Sequence, residues 1–381
     1  FNSTVTAGSA TITINGGTLY LGSGGIVKNG AAGLVTNLNF SSGTLGAKAE
    51  WATTLPINLP TGGNITFKTA NAANEPFDIT LGGVLSGAGG FTKTGSGELI
   101  LAATNTFNGS VNLNAGVLRV SGSLGTGGSV NLNGGTLTGG GTINKPVVLN
   151  AATVAGGSST FALGSSLTWN GGGRLSFNVG DNGVSGKLAL TGALAKGTAG
   201  TYEIALTPVA GFAAGNAYTL ATFASTTFST SDFTATGLPA GYVAIFSVNG
   251  TSLQVTVKLI ATVALSDLRQ FYDGSPRIPT ATTSPAGLTV VFTFDGSETA
   301  PTLPGTYAVT ATIDDPIYAG ATSGTFVITT TALVRHAPVI AGGVDGSVQM
   351  LLGNNLKLSG DLSNDLLVPG TPNIVVNGQP V

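Results

Sequence analysis

The sequence VNLNAGVLRV at Val111–Val120, together with VNLNGGTLT at Val130–Thr138, decides the fold. Each stretch consists of a short strand of alternating apolar and polar residues, an Asn-x-Gly turn and a second short strand. A third copy, TITINGGTLYL, lies at Thr11–Leu21. One such unit cannot bury its apolar side alone, so the copies have to stack into a solenoid with a shared core. Solenoids present extended surfaces, which favours a structural or adhesive function over catalysis.

The spacing of the turns predicts the size of one coil. Asn133 follows Asn114 by 19 residues, and Asn170 lies 37 residues further on, close to two more periods. A period near 19–20 suits a coil of a β-helix with two or three short strands per turn. Parallel stacking then aligns equivalent Asn and Thr side chains in ladders, with each amide bonded to the next coil. Asn and Gly are suited to the corners because both tolerate left-handed backbone.

The composition excludes several classes of function. Only 8% of the 381 residues are charged, and the net charge is −2. A surface of this kind lacks the basic footprint of a nucleic-acid-binding protein, so nucleic acid is not an expected partner. The mean hydropathy is positive, at +0.37, but the apolar residues alternate with polar ones. Because the chain has no apolar run of about 18 residues, no transmembrane segment is predicted.

The sequence also bears on the cellular compartment. The absence of cysteine and the presence of a single methionine fit an oxidising, extracellular environment. The chain opens with FNST, without a basic segment followed by an apolar run. We therefore expect the gene product to be longer than this chain.

The region Gly87–Val120 carries a more specific pattern. It contains GAGGFTKTGSGELIL, then NTFNGSV, and then an Asn-x-Gly turn before Val117–Val120. This order of glycines, Lys93 and aromatic residues resembles the passenger-associated strand repeat of bacterial autotransporters. The resemblance implies a secreted, right-handed parallel β-helix at the outer surface of a Gram-negative-type bacterium. It implies no enzyme activity, because the repeat is scaffold.

A second resemblance covers residues 261–331. Here FYDGSP, SPAGL, TFDGS and APTLPGTYAVTA follow in order, ending near Tyr318-Ala319-Gly320. This order is similar to that of the MBG domain of bacterial surface proteins, and it implies a small Ig-like β-sandwich. Turn signals about every ten residues are independently typical of a sandwich.

Together these patterns predict an all-β chain with four segments. Residues 1–180 form the β-helix, and residues 181–260 form a β-rich cap, where longer strands replace the repeat. A solenoid needs such a cap because its open end exposes unpaired strand groups. Residues 261–331 form the MBG-like sandwich. Residues 332–381 form a tail of short strands that is incomplete here.

The sequence predicts no catalytic residue, cofactor site or metal site. Glu75 and Asp78 are the closest pair of carboxylates in the repeat, but a spacing of three puts them on opposite faces of a strand. Pro76 indicates a turn, so a solvated loop is the preferred interpretation. Asp314-Asp315 precede a proline and fit a turn as well. His336, the only histidine, lies in a predicted linker beside Pro338.

Aromatic residues are the remaining candidates for ligand contact. Trp51 and Trp169 could stack on sugar rings if they are exposed, as could Tyr20 and Phe91. The alternative is that these side chains fill the core of an aromatic-poor solenoid. Tyr272 and Tyr307, at motif positions of the second resemblance, are expected in the core of the sandwich.

The sequence thus favours an extracellular structural or adhesive surface protein. Its expected partners are copies of itself, joined into a filament by strand contacts, or other surface proteins. A glycan-binding adhesin is the alternative, because the name of the MBG family derives from mucin binding. A polysaccharide-cleaving β-helix enzyme is disfavoured, since such enzymes need clustered carboxylates.

Overall fold

The computed structural model describes residues 7–29, 33–156, 159–180, 184–330, 375–376 and 379–380. These residues form β-strands, turns and one 3₁₀ helix at Thr230–Asp232, and none of them lies in an α-helix. The chain divides into two compact units. The first comprises Phe1–Ile260 with Pro316–Tyr318, and the second comprises Ala261–Asp315 with Ala319–Val381.

The strands are short and closely spaced along the first unit. In chain order they are β1 (Ala7–Leu21), β2 (Gly33–Ala47), β3 (Trp51–Thr53), β4 (Ile57–Asn58), β5 (Asn64–Lys68), β6 (Ile79–Leu81), β7 (Leu85–Ser86), β8 (Gly90–Thr94), β9 (Glu98–Leu101), β10 (Thr104–Asn105), β11 (Val111–Leu113), β12 (Val117–Val120), β13 (Ser123–Leu124), β14 (Val130–Leu132), β15 (Thr136–Gly139), β16 (Thr142–Ile143), β17 (Val147–Leu149), β18 (Thr153–Ala155), β19 (Thr160–Leu163), β20 (Leu167–Trp169), β21 (Arg174–Gly180), β22 (Val184–Ser185), β23 (Lys187–Leu190), β24 (Leu194–Lys196), β25 (Tyr202–Pro208), β26 (Ala217–Thr222), β27 (Phe233–Thr236), β28 (Tyr242–Asn249) and β29 (Ser252–Ile260).

Successive coils add one strand to each of three parallel sheets. The coil β11–β12–β13 pairs strand by strand with the coil β14–β15–β16. Sheet I runs β24-β20-β17-β14-β11-β8-β5-β2-β4-β7, with β1 also on β2. Sheet II runs β27-β25-β21-β18-β15-β12-β9-β6-β3, and sheet III runs β10-β13-β16-β19-β23-β26-β29-β28. This is a three-sided parallel β-helix, so the predicted fold class is confirmed, while its right-handed sense stays a prediction.

The predicted coil length is confirmed where the repeat is clearest. Val111 pairs with Val130, 19 residues later, and Val130 pairs with Val147. The next step, from Val147 to Leu167, takes 20 residues. Because the strands keep their register, residues of one type meet the same type in the next coil, as Leu113 meets Leu132.

The core of the β-helix lies between the three sheets. Alternate residues of each strand point inward, so that Leu113 on sheet I and Leu118 on sheet II are completely buried. Aromatic rings also pack against one another in the core, edge-on with ring centroids 5.5 Å apart for Phe67 and Phe91, and tilted with centroids 5.6 Å apart for Phe91 and Phe107. Burial of one such large apolar side chain contributes about 1.5–3 kcal/mol.

The first and last coils of the β-helix differ from the rest. At the start, β1 pairs in parallel with β2, with a break in register around Gly16 and Gly17. At the end, β29 pairs antiparallel with both β26 and β28. This antiparallel hairpin packs Tyr242 and Phe246 against the last coil and forms the predicted β-cap. The boundaries given for the β-helix and the cap stay predictions.

The second unit contains two small sheets. The strands that follow β29 in the chain are β30 (Thr262–Ser266), β31 (Arg269–Phe271), β32 (Thr280–Ser284), β33 (Val290–Phe294), β34 (Gly305–Ile313), β35 (Tyr318–Ala319), β36 (Ala321–Thr329), β37 (Val375–Val376) and β38 (Gln379–Pro380), of which β35 pairs with β29 of sheet III. One sheet pairs β30 with β32, and the other runs β31-β36-β34-β33. Phe294, Val309 and Phe326 form the core between them. Apart from β37 and β38, the predicted tail, residues 332–381, lies outside the described residues.

Tyr307 and Tyr272, the two tyrosines expected in the core of the second unit, differ in their burial. Tyr307 packs against the core, as predicted, and its hydroxyl donates to the Leu303 carbonyl at 2.7 Å. Tyr272 is 43% exposed, so the prediction that it fills the core is wrong. The reason is local, because Tyr272 follows the edge strand β31 and enters the turn at Asp273-Gly274.

Candidate functional site

An asparagine ladder runs along one corner of the β-helix. Nδ2 of Asn133 donates to Oδ1 of Asn114 at 3.0 Å, Asn150 donates to Asn133 at 2.8 Å, and Asn170 donates to Asn150 at 2.6 Å. The ladder ends where Oδ1 of Asn170 accepts from the backbone N–H of Thr198 at 2.8 Å. The predicted ladder is therefore confirmed. The amides of Asn133, Asn150 and Asn170 each donate and accept, so the corner joins four consecutive coils by side-chain hydrogen bonds.

A buried lysine lies beside the start of this ladder. Lys93 is completely buried, and its Nζ donates to the carbonyls of Thr94, Gly95 and Ala115 at 3.1, 2.8 and 2.9 Å. The three carbonyls match the three N–H donors of an ammonium group. Burial lowers the pKa of Lys93 from 10.5 to about 7, against the opposing charges of Asp78 and Glu98. The lysine therefore joins the corner of its own coil to the corner of the next one.

A second buried lysine, Lys145, lies at another corner of the β-helix. Nζ of Lys145 donates to the carbonyls of Phe107, Thr126 and Gly127, and it lies 4.6 Å from the centroid of the Phe107 ring. Burial lowers its pKa to about 8. These contacts span two coils, since Phe107 lies 38 residues before Lys145. The corner carbonyls that no strand pairs with thus gain a donor.

The sequence analysis did not identify these lysines as buried. The sequence did carry a signal for Lys93, because successive side chains of β8 point to opposite faces. Lys93 lies two residues after the inward-facing Phe91, so it faces inward as well. A lysine at an inward position needs carbonyl partners, and only the next coil could supply Ala115. Lys145 precedes Pro146 at a corner, where no alternation indicates its direction.

The carboxylates of the β-helix also connect coils. Oδ1 of Asp78 accepts from the backbone N–H of Glu98 at 2.7 Å, and Glu98 accepts from Nε of Arg119 at 2.7 Å. Glu75 accepts from the Asn71 side chain at 2.6 Å within a turn, as the solvated-loop interpretation predicts. Asp78 and Glu75 therefore have separate partners.

Trp51 and Trp169, the candidates for ligand contact, require a correction. Trp51 is 3% exposed and Trp169 is fully buried. Their indole N–H groups donate to the carbonyls of Gly46 and Gly173 at 3.3 and 2.9 Å. Both rings lie inside the β-helix because their positions alternate with outward-facing residues on β3 and β20. Neither ring offers a face to a sugar, and both are core residues.

The other two aromatic candidates are also engaged within the molecule. Phe91 is completely buried, and its ring packs edge-on against that of Phe67. Tyr20 accepts from Nζ of Lys68 at 3.4 Å, and the same ammonium lies 5.7 Å from the centroid of its ring. Tyr20 is half-buried, and its contact with Lys68 fixes its position on the neighbouring coil.

A groove of about 540 Å³, lined by both apolar and polar residues, lies at the cap. It is formed by the 3₁₀ helix, β27 and β28, and its lining residues are Thr230, Ser231, Phe233, Ala235, Thr236, Gly237, Leu238, Tyr242, Val243, Ala244, Ile245 and Phe246. Both strands are edge strands of their sheets, with β27 at the end of sheet II and β28 at the end of sheet III. The groove therefore combines apolar side chains with two edges that can accept a further strand.

In the part of the chain that the structure describes, no group of three or more His, Cys, Asp or Glu side chains is placed to hold a metal ion. Within the same residues, no helix has the length and apolar character needed to cross a membrane. Asp314 and Asp315 are among these residues and form no such group, whereas His336 lies outside the described residues.

The comparisons with known proteins agree with this geometry. Residues 91–120, which include Lys93, match the passenger-associated-transport-repeat family, and residues 261–332 match the MBG domain family. A stretch of 114 residues is 34% identical to the Adhesin BmaC autotransporter of Brucella suis biovar 1 (strain 1330). The match covers 29% of this chain and 3% of that adhesin. The chain thus carries a match to the passenger-associated-transport-repeat family within its parallel β-helix and a match to the MBG domain family after it.

Proposed function

We propose that this chain is part of an extracellular structural and adhesive protein at the surface of a Gram-negative-type bacterium. In this proposal the β-helix is a stiff spacer that associates with copies of itself, and it carries out no reaction. The main support is the asparagine ladder from Asn114 to Asn170, which joins coil to coil along one corner. The similarity to an autotransporter adhesin supports the location and the adhesive role.

The polar groups of the β-helix support the role as a spacer. The side chains of Lys93, Lys145 and Asp78 all bond to the backbone of a neighbouring coil or corner. Such bonds hold a stack of coils together without relying on the core alone, which suits a protein that has to keep its length outside the cell. Each coil adds about 4.8 Å, the spacing between paired strands.

The surface of the described residues supports self-association. Most outward positions of the coils carry Thr, Ser, Asn or Ala, and only 8% of the residues of the whole chain are charged. Copies of such a protein repel one another weakly, because little net charge opposes their approach. The strands β27 and β28 at the cap are edge strands of their sheets, and such edges can pair through main-chain hydrogen bonds.

Imaging and adhesion measurements test this function directly. Purified chain is imaged by electron microscopy over a range of concentrations, and beads coated with it are applied to each other and to host-cell layers. We expect linear assemblies that lengthen with concentration, together with clumping of coated beads. Single particles at every concentration and no adhesion above that of albumin-coated beads would refute the proposal.

Glycan binding is the alternative function, and it needs a site other than Trp51 and Trp169. A glycan array probed with the full chain separates the two functions. Specific glycan hits from a chain that stays monomeric would favour the lectin. Adhesion that persists without any glycan hit favours the structural and adhesive protein.

A further inference from the structure

The strand β28 at the cap has the features of an unprotected sheet edge. It pairs with β29 on one side, and in the described part of the chain no strand pairs with its other side. Its eight residues, Tyr242–Asn249, include no Asp, Glu, Lys, Arg or Pro, and its pairing with β29 has no bulge. Charge, proline, bulges and shortness are the usual protections of an edge strand. The other edge strand of the cap, β27, has only four residues, whereas β28 is long enough to accept another strand.

The side chains of β28 leave apolar surface uncovered. Ala244, Phe246 and Val248 pack against the core, but all eight residues of the strand are half-buried or exposed. Ile245, on the opposite face, is 43% exposed. In the paired strand β29, by contrast, every second residue from Leu253 to Val257 is completely buried. A strand placed beside β28 therefore covers apolar side chains as well as backbone groups.

The backbone groups at the open edge belong to alternate residues. The N–H of Ile260 on β29 donates to the Gly241 carbonyl at 2.8 Å, so Gly241 faces β29. Antiparallel partners bond through every second residue, so the odd-numbered residues of β28 face β29 as well. The N–H and C=O groups of Ala244, Phe246 and Val248 point the other way, to the open edge.

We propose that β28 pairs antiparallel with β28 of a second copy of this chain, with Ile245 of the two copies on a two-fold axis. This inference rests on the proposed function and specifies one contact through which copies associate. The open edge is occupied by a second copy because the strand is complementary to itself in its backbone groups, its side chains and its lack of charge.

The two faces of the strand are compatible with a two-fold axis. An axis perpendicular to the sheet keeps the core-facing side chains of both copies on one side only when even-numbered residues lie opposite even-numbered ones. Two registers meet this condition over seven residues, one centred on Ile245 and the other on Phe246. In both of them the free backbone groups of one copy face the free backbone groups of the other. Self-pairing thus uses the donors and acceptors that β29 leaves over.

The side chains favour the register centred on Ile245. On the core face it places Ala244 opposite Phe246, so a small side chain meets a large one. On the other face Ile245 meets Ile245 of the second copy in a pair without mutual hydrogen bonds, where the Cα atoms lie about 4.5 Å apart. The exposed apolar side chain at the centre of the strand is then covered by its own equivalent. The register centred on Phe246 places Ile245 opposite the hydroxyl of Ser247 instead.

Charge does not oppose the contact. In a two-fold contact the same residues come together from both copies, so a charged residue near the axis repels its own equivalent. Residues 233–249, which include β27 and β28, contain no Asp, Glu, Lys or Arg. The contact is also closed, because both copies use the same strand. It produces pairs of chains, and linear assemblies need a second contact elsewhere on the β-helix.

A disulfide tests the position of the axis in the full chain, which contains no cysteine of its own. Ile245→Cys places two thiols across the axis at a Cα separation that a disulfide accepts. We expect mild oxidation of dilute protein to give covalent dimers of this variant. Val243→Cys is the matched control, because Val243 is on the same face but lies about 14 Å from its own equivalent in this register. Equal yields of dimer from both variants, or no dimer from Ile245→Cys, would overturn the proposal.

Mixing two variants tests the register. Val243 lies opposite Ser247 of the second copy, so a mixture of Val243→Cys and Ser247→Cys should give covalent dimers that neither variant gives alone. An absence of dimers in this mixture contradicts the register centred on Ile245. Dimers between Ile245→Cys and Ser247→Cys, without dimers of Ile245→Cys alone, would also contradict it and move the axis to Phe246.

Charge substitutions provide a test that does not depend on thiol chemistry. Ile245→Lys and Ile245→Glu each bring like charges together on the axis, so sedimentation should show single chains for either variant. An equal mixture of the two should pair again, because the lysine then meets a glutamate. Val35→Lys is the control, since Val35 is 57% exposed on β2, and it should pair like the parent chain. A mixture that associates no better than either variant alone would contradict the contact.

These tests separate the contact from the proposed function. If the parent chain assembles and coated beads adhere while Ile245→Cys gives no dimers, β28 is not the contact and the proposed function stands. If Ile245→Cys gives dimers while the parent chain forms no linear assemblies and shows no adhesion, the contact stands and the proposed function fails.

Discussion

Gly116 leaves the space that the ammonium group of Lys93 occupies. A β-carbon at Gly116 would lie 2.7 Å from Nζ of Lys93, and it would lie 2.3 and 2.5 Å from the carbonyl oxygens of Gly95 and Gly97. The backbone of Gly116 has a φ of +70°, which L-amino acids with a side chain rarely adopt. The buried lysine of one coil therefore requires a glycine at this position of the Asn-x-Gly turn in the next coil.

Replacing this glycine should loosen the corner. Gly116→Ala adds a β-carbon in a left-handed backbone and pushes it against three polar atoms, so we expect a loss of about 2–4 kcal/mol in the free energy of unfolding. Urea denaturation followed by circular dichroism measures it. Gly140→Ala is the matched control, since its nearest neighbour would be 3.8 Å away and its φ is not positive. Equal stability of the two variants would contradict this account of the corner.

The asparagine ladder predicts a graded effect. Asn133 makes ladder bonds to both Asn114 and Asn150, whereas Asn114 makes one. At about 1 kcal/mol per hydrogen bond, Asn133→Ala should cost more than Asn114→Ala by about that amount. Urea denaturation midpoints of the two variants give the difference, provided that the free energy of unfolding falls with urea concentration at the same slope in both. If Asn114→Ala is the more costly of the two, the ladder is not the source of the stability.

Lys93 predicts a dependence of stability on pH. Its pKa is lowered to about 7 in the folded chain, so between about pH 7 and pH 10 the unfolded state binds more protons than the folded state. The free energy of unfolding should therefore rise with pH across this window because of Lys93, and that contribution is lost as the pH falls through about 7. Denaturation at a series of pH values measures the slope.

Removing the lysine tests the same point. Lys93→Met leaves three carbonyls without their donor, so we expect a loss of about 2–4 kcal/mol at neutral pH and a smaller rise in stability with pH. Lys48→Met is the control, because Lys48 is exposed. An unchanged pH slope in Lys93→Met would show that another group produces it.

The burial of Trp169 predicts that its substitution changes stability and not ligand binding. Its ring packs against Tyr202, Phe228 and Phe233, at centroid distances of 5.5, 5.6 and 6.1 Å. Trp169→Ala should cost about 3–5 kcal/mol, because a large buried ring leaves a cavity. Trp169→Phe should keep most of the stability and leave any glycan or surface binding unchanged. Loss of binding in a stably folded Trp169→Phe variant would return this residue to the list of ligand contacts.

The repeat itself was readable from the sequence. The alternation within β11 and β14 and the spacing of Asn114 and Asn133 predict the coil, its register and the ladder, because identical residues stack only when the coils have nearly equal length. The same pattern predicts which side chains point inward, including Leu113 and Leu132. Local periodicity was sufficient where each coil repeats the last.

Features that depend on contacts with a neighbouring coil could not be predicted from the sequence. The partners of Lys145 lie 18 to 38 residues away, and no local pattern links them. Exposure of Trp51 was equally ambiguous, because a three-residue strand gives too little alternation to assign a face. The groove at β27 and β28 depends on the antiparallel return of β29, which the strand lengths suggest without fixing the pairing.

The stacking of coils at a 19-residue step is the central claim, and cysteine pairs measure it most directly. Asn112 and Asn131 are partners in adjacent strands, so their Cα atoms should lie about 4.8 Å apart. Asn112 and Val148 are two coils apart, at about 9.6 Å, beyond the reach of a disulfide. Oxidation should therefore close the Asn112→Cys, Asn131→Cys variant and leave the Asn112→Cys, Val148→Cys variant with free thiols. Free thiols in the first variant, or a disulfide within single chains of the second, would contradict the β-helix register.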